Sequence, residues 1–311
     1  MTDQTNAMNS LVQEFMKEIR ADKRKALIFR AVGWIYLLGS TLLFAILFFS
    51  DGGKAKDEES PHLAVIDVLA PIQRKGGVAA DNVIQALQKA FKQENTQAIL
   101  LDMDSPGGSA AQSDLIYREI LRLREEFPDK PVYAVVGDLC ASGCYFIASA
   151  ANEIIVNSTS MIGNIGVRMD SFGFTGLMER LGVERRIITA GENKILSDPF
   201  STIKPEIQEH LRDHVLATTH QVFIDAVKNG RGERLNDNPE IFSGLVWVGQ
   251  EAVEIGLADK IGSIGSISRE LMEEPKVVNY SVRNTRLLDL FTGTATELKQ
   301  TFVGGDVRLS W

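Results

Sequence analysis

Hydrophobic and polar positions divide the chain into three regimes. Residues 31–49, AVGWIYLLGSTLLFAILFF, carry no charge over nineteen positions. At about 1.5 Å per residue this run covers roughly 28 Å, close to the thickness of a hydrocarbon core. Lys17, Arg20, Lys23, Arg24, Lys25 and Arg30 precede it, whereas the following DGGKAKDEES sets two lysines against four acids. The positive-inside rule therefore predicts a cytoplasmic segment over 1–30, a transmembrane helix over 31–50 and everything later on the far side. The long basic lead, the length of the run and the lack of an A-x-A site favour an uncleaved anchor over a signal peptide. Leu11, Phe15 and Ile19 form a stripe that suits either an amphipathic helix on the inner leaflet or a continuation towards the span.

A charged, glycine-containing linker is expected over 51–62, and then the pattern changes period. LAVIDVLAPI (63–72), AILLDM (98–103), VYAVVGD (132–138) and EIIVNS (153–158) read as strands. Between them, 79–91 and 109–126 have helical spacing, the latter through Leu115, Ile116, Glu119, Ile120 and Leu123. Such alternation predicts parallel strands with crossover helices, an α/β domain over 63–283. Further on, a short helix is expected near 175–181, a strand over VERRIIT (183–189), a long helix over 205–228 and a strand–helix pair over 244–256. The tail, 284–311, is less organised and holds the apolar cluster Leu287, Leu288, Leu290 and Phe291.

With 311 residues, a hydrophobic fraction of 44% and a charged fraction of 24%, there is material for a sizeable core. A net charge of −8 and no long basic run outside the N-terminal region argue against a nucleic-acid partner. The two cysteines, Cys140 and Cys144, fit no metal pattern. Placed on one helix they share a face, where a bond within a single turn is awkward, so two small buried residues are expected, with a redox role as the minor alternative.

Three short motifs bear on chemistry. Asp104-Ser105-Pro106-Gly107-Gly108 follows a buried strand, and its glycines suit either a plain turn or a backbone aimed at developing negative charge. Cys140-Ala141-Ser142-Gly143-Cys144-Tyr145 lies at a strand-to-helix junction, where Ser142 is either a helix cap or a nucleophile. Gly191-Glu192-Asn193-Lys194 is either a solvated turn or the bearer of a base. A lysine accepts a proton only once uncharged, which burial or a nearby cation must impose. No histidine lies between Ser142 and Lys194, and His210, His214 and His220 share one predicted helix as polar surface.

Together these motifs resemble the signal peptide peptidase A family of Ser/Lys proteases, from about Val65 to Ser268. The resemblance rests on DSPGG, ASGCY, the MIGNIGV segment (161–167), the GENK turn and a late GRG (230–232). It implies Ser142 as nucleophile, Lys194 as general base, and the N–H groups of Gly108 and Ser142 as oxyanion hole, with Gly107, Gly143 and Asn164 in support. It further implies a caseinolytic protease/crotonase-like fold and a homo-oligomeric ring with the dyad assembled across subunits. Apolar peptides such as signal-peptide remnants are the implied substrates. The expected setting is a bacterial inner membrane, with lipid as a partner, the catalytic domain periplasmic and no cofactor. Two positions depart from the family: Asn164 stands where serine is usual and would have to hold Lys194 through its amide oxygen, and Cys144 stands where glycine is common. The competing readings are a non-catalytic membrane scaffold and a crotonase-like acyl-CoA enzyme. The latter sits poorly with a domain expected outside the cytoplasm.

Overall fold

The computed structural model describes residues 29–44 and 59–282, and the chain divides into two units at Glu59/Ser60. In the first unit, residues 29–44 form a helix (α1) whose side chains are all exposed, Phe29 and Trp34 among them. Among the described residues no helix is long and apolar enough to cross a membrane. The end of the expected span (45–50), the stripe before residue 29, the linker over 51–58 and the tail from 283 lie outside the described residues.

The second unit is built on eight strands: β1 (His62–Val68), β2 (Thr96–Ser105), β3 (Val132–Ala141), β4 (Glu153–Val156), β5 (Met161–Gly163), β6 (Val246–Val248), β7 (Lys260–Ile261) and β8 (Val277–Asn279). They lie in the order β6-β5-β3-β2-β1-β8, with β4 beside β3 and β7 beside β4. Every pairing is parallel except β5 with β6. Continuous apolar runs such as Ala98–Leu101 are buried on both faces, as a parallel sheet covered on two sides requires. The long strand β3 is shared. Tyr133–Val136 pair with Glu153–Val156, and Leu139–Ala141 pair with Met161–Gly163.

The larger core lies under helices α2 (Ala80–Lys92), α3 (Ala110–Glu126), α4 (Gly143–Ala148) and α7 (Ala217–Arg231). Ser109 caps α3 by accepting from the Gln112 N–H, and the helix buries Ile116, Tyr117, Ile120 and Leu123. Leu115, expected on that face, is 48% exposed. The opposite sheet face carries Leu63, Val65, Leu100 and Val135 and is covered by Ile267 of α9 (Ile264–Leu271). The expected long helix comprises α6 (Pro205–His210), a π-helical turn Leu211–Leu216 and α7. Helix α5 (Thr175–Leu181) buries no residue, and α8 (Gly249–Glu254) follows β6.

One expected element is absent. Residues 183–189 form no strand and are exposed, because no neighbouring strand satisfies their backbone groups and Arg185 turns aside to pair with Asp198. The GRG motif, by contrast, has a structural role. Arg231 is 1% exposed and makes two bonds to Asp259, at 2.7 and 2.9 Å, and a third to the Gly256 carbonyl at 2.8 Å. Asp259 in turn accepts from the Ile154 N–H at 2.6 Å, which ties α7 to the start of β4.

Candidate active site

Strand β3 ends at Ala141 and α4 starts at Gly143, so the chain reverses at one residue, Ser142, with φ 53° and ψ −123°. Few non-glycine residues tolerate this region, and holding one there costs about 1–3 kcal/mol. It lifts the Ser142 side chain out of the helix and leaves its hydroxyl without a capping bond. Ser142 is half-buried and opens onto a cleft of about 1130 Å³. Small and apolar groups line that cleft, among them Ala110, Ala111, Phe146, Val222 and Phe223, with Asp114, Arg168 and Asp170 the charged side chains on its wall.

The DSPGG loop closes against this elbow. Ser105 at the end of β2 donates to the Ala70 carbonyl at 2.7 Å and accepts from the Gly107 N–H at 3.2 Å. The Gly107 carbonyl accepts from the Ile72 N–H, and the Ser109 N–H donates to the Ile72 carbonyl, both at 2.8 Å. A Cβ on Gly108 would sit 2.2 Å from the Ile72 oxygen, and one on Gly107 would sit 2.6 Å from the Ala141 oxygen. Only glycine allows so close an approach.

One of the two N–H groups expected to face the cleft is engaged elsewhere. The Ser142 N–H, expected in the hole, donates to the Gly163 carbonyl at 2.8 Å and is therefore occupied. The N–H of Gly143, first residue of α4, has no bonding partner among the described residues, and neither has that of Gly108. The two groups are neighbours, since a Cβ on Gly143 would lie 3.4 Å from the Gly108 nitrogen. A nucleophile elbow uses the N–H of the residue after the nucleophile, and Gly143 occupies that position. Buried Ser113 backs it, its hydroxyl 2.5 Å from where that Cβ would stand.

The cysteines also differ from expectation. Cys140 lies on β3 and Cys144 on α4, with Ser142 midway, and they form a disulfide with Cα atoms 5.1 Å apart. The awkwardness expected of a bond within one helical turn does not arise, because the elbow puts the two residues on different elements.

Asn164 follows β5 with φ 51°, donates through Nδ2 to the Gly244 carbonyl at 2.7 Å and lines the cleft. His220 of α7, expected as plain polar surface, holds the next residue, its Nε2 lying 3.1 Å from the Ile165 carbonyl. Lys194 is not brought to this site. It stands on an exposed loop, its N–H bonded to the Gly191 carbonyl, and does not line the Ser142 cleft of its own chain. Most of 168–204 is exposed, including Leu181 at 67% and Ile188 at 99%.

Sequence reasoning placed Gly143 only in support, and it missed the free Gly143 N–H, the disulfide and the contact of His220 with the Ile165 carbonyl. The signal for the first two was present in the symmetric spacing Cys-Ala-Ser-Gly-Cys, with small residues around a strand-to-helix serine.

The profile of peptidase family S49 matches residues 125–278. A Synechocystis sp. protein named for a protease activity is 30% identical over 198 residues, 63% of this chain and 70% of that protein. The chain belongs to peptidase family S49. Among other relatives, the chloroplastic serine protease SPPA of Arabidopsis thaliana is 30% identical over 241 residues, 74% of this chain and 35% of that one. A Brucella abortus protein named Na(+)/H(+) antiporter NhaA is 46% identical over 184 residues, 59% of this chain. The chain spans only 25% of that relative. As an S49 member the chain has a mixed α/β fold, and Ser142 opens onto its cleft.

Proposed function

We propose that this S49 chain is a membrane-anchored endopeptidase with a Ser142/Lys194 dyad, acting on apolar peptides such as signal-peptide remnants outside a bacterial inner membrane. The observation that carries the reading is the elbow itself: Ser142 lifted into the cleft with its hydroxyl uncommitted, beside the unengaged N–H groups of Gly108 and Gly143. In the first step the Ser142 hydroxyl gives its proton to the Lys194 amine while Oγ bonds to the scissile carbonyl carbon. The carbonyl oxygen takes the negative charge and is stabilised by Gly108 and Gly143. Collapse breaks the C–N bond, and Lys194 returns its proton to the leaving amine. Water then gives a proton to the same lysine as its oxygen bonds to the acyl carbon, and the bond to Ser142 Oγ breaks while the lysine returns that proton to Oγ.

In this reading Lys194 comes from a neighbouring subunit of a homo-oligomeric ring, and the fold is the caseinolytic protease/crotonase-like one. Two features support a shared site: Lys194 does not line its own chain's cleft, and the segment bearing it exposes large apolar side chains. The uncharged run 31–49 supports the anchor, and the small apolar walls of the cleft support apolar substrates. The position of Lys194 also favours a second reading, a non-catalytic membrane scaffold. Mass spectrometry after exposure to a fluorophosphonate separates the two. An adduct at Ser142 that is lost in Lys194→Ala is expected for the peptidase, whereas an unlabelled, folded wild type leaves the scaffold.

A further inference from the structure

An elbow throws together the residues two before and two after its central one, because the backbone reverses between them. In this chain those residues are Cys140 and Cys144. Their Cα separation of 5.1 Å falls within the range that a disulfide spans, and the bond is formed. Both are fully buried, Cys140 held in register between Ser105 of β2 and Ile162 of β5, and Cys144 in the first turn of α4. The loop thus closed contains Ala141, Ser142 and Gly143, that is, the nucleophile and one of the two oxyanion donors.

The non-covalent restraints on this loop are few. The Ser142 N–H is held by Gly163 and the Ser142 carbonyl accepts from the Phe146 N–H at 3.0 Å. The Gly143 N–H has no hydrogen-bond partner among the described residues, so only the backbone on either side and the packing of Gly107 and Ser113 against it fix its direction. A strained residue followed by glycine, the least restrained of residues, needs a further constraint to remain in one conformation.

We propose that the Cys140–Cys144 disulfide is a positioning element of the catalytic site, holding the Ser142–Gly143 peptide so that the Gly143 N–H stays aimed alongside that of Gly108. The inference rests on the Ser142 peptidase reading. Reduction by a dithiol transfers two electrons and two protons, turning the cystine into two thiols while the dithiol becomes a disulfide. The freed loop relaxes, and transition-state stabilisation falls while peptide binding along the cleft walls persists.

The test compares the full-length wild type with Cys140→Ala, Cys144→Ala and the double variant, following hydrolysis of an apolar peptide amide and fluorophosphonate labelling. Because one bond is lost in each case, the three variants are expected to show the same fall in kcat, about tenfold to a hundredfold, with KM unchanged. Wild type treated with dithiothreitol, its reduction verified by peptide mapping, is expected to match them. It carries the same comparison should the double variant fail to fold. Unchanged kcat in the variants of an active wild type overturns this inference alone. So do losses that add between the two positions, or that appear only in KM or melting temperature, since those mark packing. A wild type that neither hydrolyses nor labels overturns the peptidase reading and this inference with it.

Discussion

The elbow and the segment that carries Lys194 are organised in opposite ways. Around Ser142 the backbone is fixed by a fully buried disulfide, by glycines packed within van der Waals limits and by a strand paired on both sides. Across 168–204 there is one short helix without a buried residue, and a side chain such as Ile188 is 99% exposed. On the proposed reading, the difference teaches that electrophilic stabilisation is prepared within one chain, whereas delivery of a base is left to an exposed surface segment. Oxyanion donors must be rigid to be effective, because they gain from not reorganising during the reaction. In the proposed ring, a subunit contact orders the lysine afterwards.

The comparison breaks first at the dyad. Ser142→Ala and Lys194→Ala are each expected to lower peptide hydrolysis by about 10⁴-fold or more, measured as kcat/KM on the assembled protein. Co-assembling the two inactive chains in equal amounts sharpens it. If the dyad is shared across subunits, about a quarter of the sites pair an intact serine with an intact lysine, and activity returns to that extent. A dyad confined to one chain would return none.

Next comes the oxyanion loop. Gly108→Ala forces a Cβ against the Ile72 carbonyl, and kcat is expected to fall by about 10²–10³ with fluorophosphonate labelling slowed in parallel. On the other side of the comparison, Ile188→Asp should weaken assembly, seen by sedimentation, and lose activity that recovers at higher protein concentration. The melting temperature of the single chain should hardly move, because Ile188 is exposed within it. The smallest effect is expected for His220→Ala, about tenfold or less in kcat/KM, through release of the loop at Ile165. His220→Gln, which keeps a donor at the Nε2 position, should restore most of it.

The Arg231–Asp259 brace gives a control that acts on stability. Burial alone would raise the Asp259 carboxyl, but the bonds from Arg231 and the Ile154 N–H hold it below the usual carboxylate range. Its stabilising contribution is therefore complete above the unfolded value of about 3.9 and is lost as the pH falls through the folded one. Asp259→Asn strands a buried guanidinium and should cost about 3–5 kcal/mol in urea unfolding, with the part of the acid sensitivity that Asp259 contributes removed.

Much of this was legible in the sequence. The core strands announced themselves as apolar runs because parallel strands are buried on both faces, and DSPGG marked the loop that needs glycine. Residues 183–189 were misread because Val183, Ile187 and Ile188 have strand composition, while a strand exists only if another pairs with it. The bond that occupies the Ser142 N–H was not legible because its partner, Gly163, is remote in sequence and reaches it only through β5. The disulfide was missed for a related reason: spacing was judged on a single helix, and the reversal at Ser142 is a property of the backbone alone.

The shared strand β3 has a consequence for how the molecule comes apart. Its first half is locked to β4 and its second half to β5, with β2 alongside both. Amides of Val135, Val136 and Cys140 should therefore exchange with deuterium only on global opening, while those of 184–189 exchange within seconds. A partly opened molecule would keep the Ser142 elbow in order after the 168–204 segment has come loose. If the proposed shared dyad holds, loss of assembly extinguishes cutting before the fold itself fails, and damaged copies are silent rather than indiscriminate.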